Sequence, residues 1–399
     1  MITYPCFNRR LIELNEVLVG TDLSVMGFFL LASNSITLRS VRFMFLNSTY
    51  KNFYIPKMLS TTLQQDISEF AKDFPLAGDL KGSRILITGA TGLIGSTLIH
   101  GLLALNAGIK IVAPVRNAAK AKGTFEPQEI GQIELIECDI AAFDYNTIAP
   151  VDYIVHCAAP TSSKFFVEHP VDTFAIILDG TKALLEYART AGVKGFVYLS
   201  SLEVYGEIAD DSKPVTENIQ GYLDPLAVRS SYPMAKRATE NLCCLYAAQY
   251  KVPAKIARLT QTTGAGIAKD DNRVIAQFAR LAANGQDIVL HTTGESARPY
   301  CYTIDSIAAI LYVLLRGTPG TAYNVANEAT YISARDMAEY LRDNFNPAIQ
   351  VKIELNENMG YAPATKQKLS TEKIRQLGWL PKYGLKEIFN KLIAYLQEP

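Results

Sequence analysis

Ile85-Leu86-Ile87-Thr88-Gly89-Ala90-Thr91-Gly92-Leu93-Ile94-Gly95 is an apolar run that enters a glycine-rich turn and leaves it as an apolar segment. Residues 85–88 have no polar face and read as a buried strand. Gly89 permits the tight turn that ends the strand. Gly92 lets the backbone approach a pyrophosphate, and Gly95 lets the following helix pack on the strand. That helix, expected over about 93–105, presents free N–H groups and partial positive charge to the turn. Thr91, Leu93 and Ile94 complete the loop. A glycine-rich turn alone says little, but between a strand and a helix in a first βαβ unit it points to a dinucleotide.

Working outward, the same alternation continues for almost two hundred residues. Strands are expected at Ile109–Val115, Ile133–Cys138, Tyr153–His156, Gly195–Ser200 and Ala254–Leu259, with helices over Val171–Ala191 and around Tyr232. Continuous apolar strands alternating with helices predict an α/β fold, a doubly wound Rossmann parallel sheet covered on both faces. After Arg258 the rhythm becomes irregular, as in a smaller mixed α/β lobe that closes over a ligand. The expected division is therefore a dinucleotide-binding domain over 58–258 and a mainly substrate-binding lobe over 259–399. Just upstream of the first strand, Leu63, Ile67, Phe70, Ala71 and Phe74 recur at helical spacing and predict an amphipathic helix against the sheet or its flank. Residues 1–57 are expected to be a poorly ordered extension without chemistry, the functional chain starting near Met58. The uncharged run 23–38 is short for a membrane span and is interrupted by Ser and Asn.

The 39 basic and 39 acidic residues balance, so no electrostatic footprint for nucleic acid or an anionic membrane is present. Six cysteines without C-x-x-C spacing read as reduced thiols of a cytoplasmic protein, and four scattered histidines suggest no metal site.

The second strand ends Val115-Arg116-Asn117, without the acid that would hold a ribose 2′-hydroxyl. Arg116 suits a 2′-phosphate, which leans the cofactor from NAD toward NADP. Asp139, after the third strand, is placed either for the adenine amino group or as a turn acid. Of 21 tyrosines only Tyr232 has a lysine four residues on, Lys236, on the same helix face. That ammonium is expected to lower the Tyr232 pKa, so that the phenol exchanges a proton with a substrate hydroxyl during hydride transfer. Ser201, at the carboxyl end of the fifth strand, is placed to orient the same hydroxyl.

These motifs, in this order, resemble the extended short-chain dehydrogenase/reductase family in its nucleotide-sugar epimerase/dehydratase branch. The resemblance runs from about Lys81 to the C-terminus. It includes Glu203-Val204-Tyr205-Gly206, Ala257-Arg258-Leu259, the segment Arg298–Asp305 and Leu377-Gly378-Trp379-Leu380-Pro381. It implies NAD or NADP against Ile140 and Ala158 as well as the turn, with Lys236 on the nicotinamide ribose. It implies a nucleotide-sugar substrate near Ser162, Gln261 and Arg298, the last on the pyrophosphate. It also implies a homodimer through the helices near 171–191 and around Tyr232, with Leu242, Leu245, Tyr246 and Gln249 on that face. Residues 156–173, Arg229-Ser230-Ser231-Tyr232 and Lys236-Arg237 look like the UDP-glucuronate decarboxylase branch. Glu203 matches an acid used near the reacting carbons or is a structural acid. Leu202 departs from the pattern: decarboxylases have serine there and dehydratases an aspartate, and leucine handles no proton. Expected chemistry is C4 oxidation to a 4-keto sugar, with decarboxylation or epimerisation ahead of dehydration. The rivals are a net NADPH-dependent reductase and a non-catalytic dinucleotide sensor.

Overall fold

A computed structural model of the protein describes residues 59–208, 210–356 and 364–398. The expectations for residues 1–57 and for a start at Met58 lie outside the described residues.

Seven parallel strands form the central sheet: β1 (Arg84–Thr88), β2 (Lys110–Val115), β3 (Ile133–Glu137), β4 (Tyr153–His156), β5 (Gly195–Ser201), β6 (Ala254–Leu259) and β10 (Ala322–Val325). Their order is β10-β6-β5-β4-β1-β2-β3. Each strand predicted from an apolar run is present, because a parallel strand covered on both faces has no place for a polar side. β6 is buried along its whole length. The apolar runs predict six of these strands. The seventh, Ala322-Tyr323-Asn324-Val325, is short, and its centre carries Asn324, which broke the apolar pattern. Burial of that amide is balanced by hydrogen bonds: Tyr205 donates to its Oδ1 (2.6 Å), and its Nδ2 donates to the carbonyls of Val215 and Ser370.

The helices in chain order are α1 (Thr61–Asp73), α2 (Leu93–Ala104), α3 (Ala118–Lys122), α4 (Pro127–Ile130), α5 (Ser163–Glu168), α6 (Pro170–Ala191), α7 (Ser231–Tyr250), α8 (Val274–Ala283), α9 (Thr303–Arg316), α10 (Ala334–Phe345), α11 (Glu372–Arg375) and α12 (Leu385–Gln397). α2 and α9 cover one face of the sheet, with α1 packed against both. α6 and α7 cover the other, around Phe196, Tyr198 and Ile256. α1 is the amphipathic helix read from Leu63, Ile67 and Phe70. Its one buried acid, Asp66, accepts from Lys391 Nζ (2.7 Å) and Tyr302 (2.5 Å), which ties the helix to α12 and to the second lobe.

The second lobe contains a three-stranded sheet, β11 (Asn327–Ser333), β9 (Ala297–Tyr302) and β7 (Gln261–Thr263), and a two-stranded one, β8 (Ile288–Leu290) with β12 (Val351–Ile353). β1 lies between β2 and β4, so strand order reverses at its carboxyl end. A crevice for ligand is expected at that switch point. No helix among the described residues is long and apolar enough to cross a membrane.

Candidate active site

Gly89 occupies the left-handed region (φ +68°), and a side-chain carbon there would meet the Ala158 amide nitrogen at 2.9 Å. A carbon on Gly95 would lie 2.3 Å from the Gly89 carbonyl oxygen. Both glycines are therefore demanded by the protein itself. Gly92 is different: it is exposed, and a carbon there would come no nearer than 3.4 Å to anything, again the Gly89 oxygen. Among the described residues nothing but that oxygen comes near Gly92, and α2 begins immediately after it with no side chain capping the first turn. Uncapped N–H groups at a twelve-residue helix, faced by an open glycine, fit a dinucleotide pyrophosphate. Thr91, Leu93 and Ile94 are half-buried around this opening.

A buried polar chain fixes the neighbouring strand ends. The Ala158 N–H donates to Thr88 Oγ1 (3.2 Å), which lies 2.6 Å from His156 Nδ1, and His156 Nε2 lies 3.0 Å from Thr181 Oγ1. Thr181 donates its proton to the Ile177 carbonyl, so it accepts from Nε2–H, and Nδ1 accepts from Thr88. Every link is satisfied with a neutral imidazole. Burial pushes the His156 pKa down to about 3, with Lys236 adding to the effect. His156 thus acts as a brace between β1, β4 and α6, with no free nitrogen for other chemistry.

At the adenine end, Arg116 is exposed at the carboxyl end of β2. Asp139 is exposed too, and its Oδ1 accepts from the Ala141 N–H (2.9 Å), so it serves the turn and keeps one oxygen for a further donor. Ile140 packs over Gly180 of α6, where an added carbon would lie 2.7 Å from its Cδ1.

The redox candidates converge. Ser201 closes β5, and its hydroxyl accepts from the Glu203 N–H (3.2 Å) while lying within hydrogen-bonding reach of the Tyr232 phenol. Lys236, one helical turn beyond Tyr232, is buried and donates to the Leu199 carbonyl (2.7 Å), with its ammonium 4.7 Å from the centre of the Tyr198 ring and 5.7 Å from that of Tyr232. The expected lowering of the Tyr232 pKa is not what the geometry gives. Burial raises it, the Glu203 charge raises it further, and the Ser201 hydrogen bond and Arg229 only partly oppose this. Burial also pushes the Lys236 ammonium down to about 7, which weakens the cation on which the expectation relied.

Two further residues complete this centre, Phe166 and Arg229, neither of them among the site residues expected from the sequence. Phe166 of α5 stacks on Tyr232, centroids 4.3 Å apart and planes within 11°, and Ser231 donates to the Phe166 carbonyl (3.1 Å) to hold the helices together. Arg229 lies over the Phe166 ring (5.3 Å) and donates to Glu203 Oε2 (3.1 Å). Its spacing, three residues before Tyr232, was the available signal. Leu202 is buried in an apolar cluster with Val204, Tyr205, Val215, Ala326 and Leu369, which explains leucine at a position where a proton-handling residue was expected.

On the substrate side, the register pairs Gln261 with Tyr300, two residues from Arg298 on β9, so these three share one face of the small sheet. Arg298 and Gln261 are half-buried. Ser162 is exposed and caps α5, accepting from the Phe165 N–H (3.4 Å). Of the residues expected on a dimer face, Leu245 and Gln249 are exposed and Leu242 is half-buried. Tyr246 is instead buried and donates to Glu186 of α6 within the same chain, because the phenol reaches across the α6–α7 seam. No cluster of His, Cys, Asp and Glu able to hold a metal occurs among the described residues.

Fold and site together define a dinucleotide-binding α/β enzyme of the short-chain dehydrogenase type. The NAD dependent epimerase/dehydratase family matches residues 85–326, more than half of the chain, and the chain belongs to that family. UDP-glucuronic acid decarboxylase 5 of Arabidopsis thaliana is 31% identical over 306 residues, spanning 76% of this chain and 86% of its own. UDP-glucuronic acid decarboxylase 1 of Xenopus tropicalis is 27% identical, spanning 79% of this chain and 72% of its own. Among solved structures, UDP-glucuronic acid 4-epimerase of Bacillus cereus with UDP-glucuronic acid and NAD has the same fold. Its TM-score is 0.66 at 21% identity, over 79% of this chain and 99% of that one. The protein is an NAD(P)-dependent enzyme of nucleotide-sugar chemistry.

Proposed function

We propose that the chain decarboxylates a UDP-hexuronate, UDP-glucuronate foremost, through a 4-keto sugar. The observation that carries this reading is the meeting of Ser201, Tyr232 and Lys236 at the carboxyl end of β5, beside the uncapped turn at Gly92. The decarboxylase relatives support the choice of sugar. Gly89, Gly92, Gly95 and the first turn of α2 hold the pyrophosphate of the dinucleotide, with Ile140 and Ala158 against its rings. When bound, the dinucleotide supplies the hydride acceptor for C4. Tyr232 accepts the C4 hydroxyl proton, Ser201 orients that oxygen, and Lys236 holds the nicotinamide ribose. Arg298 and Gln261 face the diphosphate, and Ser162 the sugar.

With a ketone at C4, the C5–C6 bond breaks to release carbon dioxide, and its electron pair moves onto the C4 oxygen. Ser201 and Tyr232 hydroxyls donate to that oxygen; C5 then takes a proton from water, the hydride would return to C4, and Tyr232 gives its proton back to the C4 oxygen, so that carbon dioxide alone is lost. This fits Leu202 sealed in its apolar cluster, whereas expulsion of a hydroxide at C6 needs an acid there. Burial and the Glu203 charge disfavour the Tyr232 phenolate, and the positive charge of a bound oxidised dinucleotide would favour it.

Arg116 is exposed at the end of β2 and, among the described residues, has no acid paired with it, which supports NADP over NAD. It also favours a second reading, net reduction with NADPH, in which coenzyme is consumed in stoichiometric amount. Exposed Val171 and Leu245 on α6 and α7 support a homodimer through that face. The test is product mass from purified protein given UDP-glucuronate, UDP-glucose and other nucleotide-sugars. A loss of about 44 mass units from the uronate alone is expected, and an unchanged mass or a loss of about 18 overturns the decarboxylase reading.

A further inference from the structure

Arg229 and Glu203 form an ion pair at the mouth of the redox centre. Their side chains are 41% and 33% exposed, and a single contact of 3.1 Å joins them. A guanidinium offers five N–H donors in a planar fork, and here one is spent on the protein's own carboxylate. The fork is held in place by lying over Phe166, which in turn stacks on the reacting phenol of Tyr232. Its planarity and cation–π contact reduce the freedom it would lose on binding a second anion. The other cation of this centre, Lys236, is buried with its ammonium on the Leu199 carbonyl. A carboxylate arriving on a sugar whose C4 faces Tyr232 therefore meets, among the described residues packed around that phenol, the part-exposed guanidinium of Arg229, already occupied by a carboxylate of the chain.

We infer that Arg229 is the specificity residue for a uronate, and that the C6 carboxylate of the bound sugar displaces Glu203 from the guanidinium. Glu203 is thus an internal stand-in for the substrate carboxylate. It keeps the cation partnered until a uronate arrives, and a neutral hexose cannot displace it. A uronate can take two donors of the fork where Glu203 takes one, and bidentate pairing is the stronger arrangement. The exchange leaves Glu203 beside the sugar ring. The inference rests on the decarboxylase reading for the identity of the sugar, and it concerns binding only.

Equilibrium binding in the Tyr232→Phe background, with NADP+ or NAD+ saturating, separates the two. The parent is expected to bind UDP-glucuronate at least about tenfold more tightly than UDP-glucose, as one charge-assisted pair supplies. Arg229→Gln should erase that preference with UDP-glucose affinity kept. Glu203→Gln should tighten UDP-glucuronate alone, because the competitor for the fork loses its charge. This opposite sign is one that a merely structural ion pair would not produce. Arg229→Lys, which keeps charge without the fork, should recover part of the preference. A preference that survives Arg229→Gln, a parent without preference, or Glu203→Gln weakening both ligands overturns the inference. Turnover of UDP-glucuronate by the unmodified enzyme is read separately. Decarboxylation with an Arg229-independent preference sinks this inference alone, and an Arg229-dependent preference without decarboxylation sinks the function alone.

Discussion

Gly92 and Gly95 stand three residues apart in one loop, and alanine at each should separate fold from binding. At Gly95 the new carbon would lie 2.3 Å from the Gly89 carbonyl oxygen, and both atoms belong to backbone, so relief requires moving the turn against α2. Overpacking of this kind costs about 1–3 kcal/mol. At roughly 2 °C per kcal/mol for a chain this long, the Tm should fall by a few degrees. At Gly92 the backbone (φ −88°, ψ 165°) suits alanine and the nearest atom is 3.4 Å away. The loss of a favoured N-cap residue, about 1 kcal/mol, is offset by the smaller entropy of the unfolded chain, about 0.4–1 kcal/mol. The Tm should therefore barely move. The methyl group instead occupies the space left for a pyrophosphate, and dinucleotide affinity should fall by about tenfold or more, equivalent to roughly 1.4 kcal/mol. Thermal unfolding without ligand and calorimetric titration with NAD+ and NADP+ read the two effects. Gly92→Ala with unchanged affinity, or the two variants losing equal stability, would refute the reasoning.

Other consequences are as direct. Lys236 titrates near 7 when folded against about 10.5 unfolded, so the unfolded chain holds the extra proton between those values and stability rises with pH across them. Lys236→Met should flatten that limb by up to about 1.4 kcal/mol per pH unit, measured by denaturant unfolding without dinucleotide. Lys255, pushed to about 8 by burial, should leave a residual slope of the same sign. His156 stays neutral down to about 3, so stability should be lost as pH falls below about 6.5, where the unfolded chain takes the proton, and His156→Gln should shallow this acid limb. Arg116→Asp should reverse the ratio of NADP+ to NAD+ affinities; an unchanged ratio places the 2′-phosphate elsewhere. Val171→Glu with Leu245→Glu should convert a dimer into monomers by light scattering, and a dimer that persists would move the interface off this face.

What the sequence disclosed follows from how locally each feature is encoded. The strand, turn and α2 around Gly89 were legible because buried parallel strands need unbroken apolar runs and the turn needs glycine. Tyr232 and Lys236 were legible because one helical turn places them together. Phe166 on Tyr232 was not, since 66 residues separate them and a short capped helix gives no periodicity. Leu202 was visible only as a missing acid; its packing with Leu369 supplies the reason, and that partner arrives from the far end of the chain. The direction of the Tyr232 pKa shift is not legible in the sequence, because a lysine at four residues says nothing about burial, which dominates both groups.

The rate at which Tyr232→Phe turns over UDP-glucuronate, compared with the unmodified enzyme at saturating dinucleotide, bears most closely on the redox centre. Loss of the phenol that exchanges the C4 proton should lower turnover by about 10²–10⁴-fold, with the fold and dinucleotide affinity retained. A variant that released carbon dioxide at the unmodified rate would show that the proton leaves by another route and that this tyrosine is not the base.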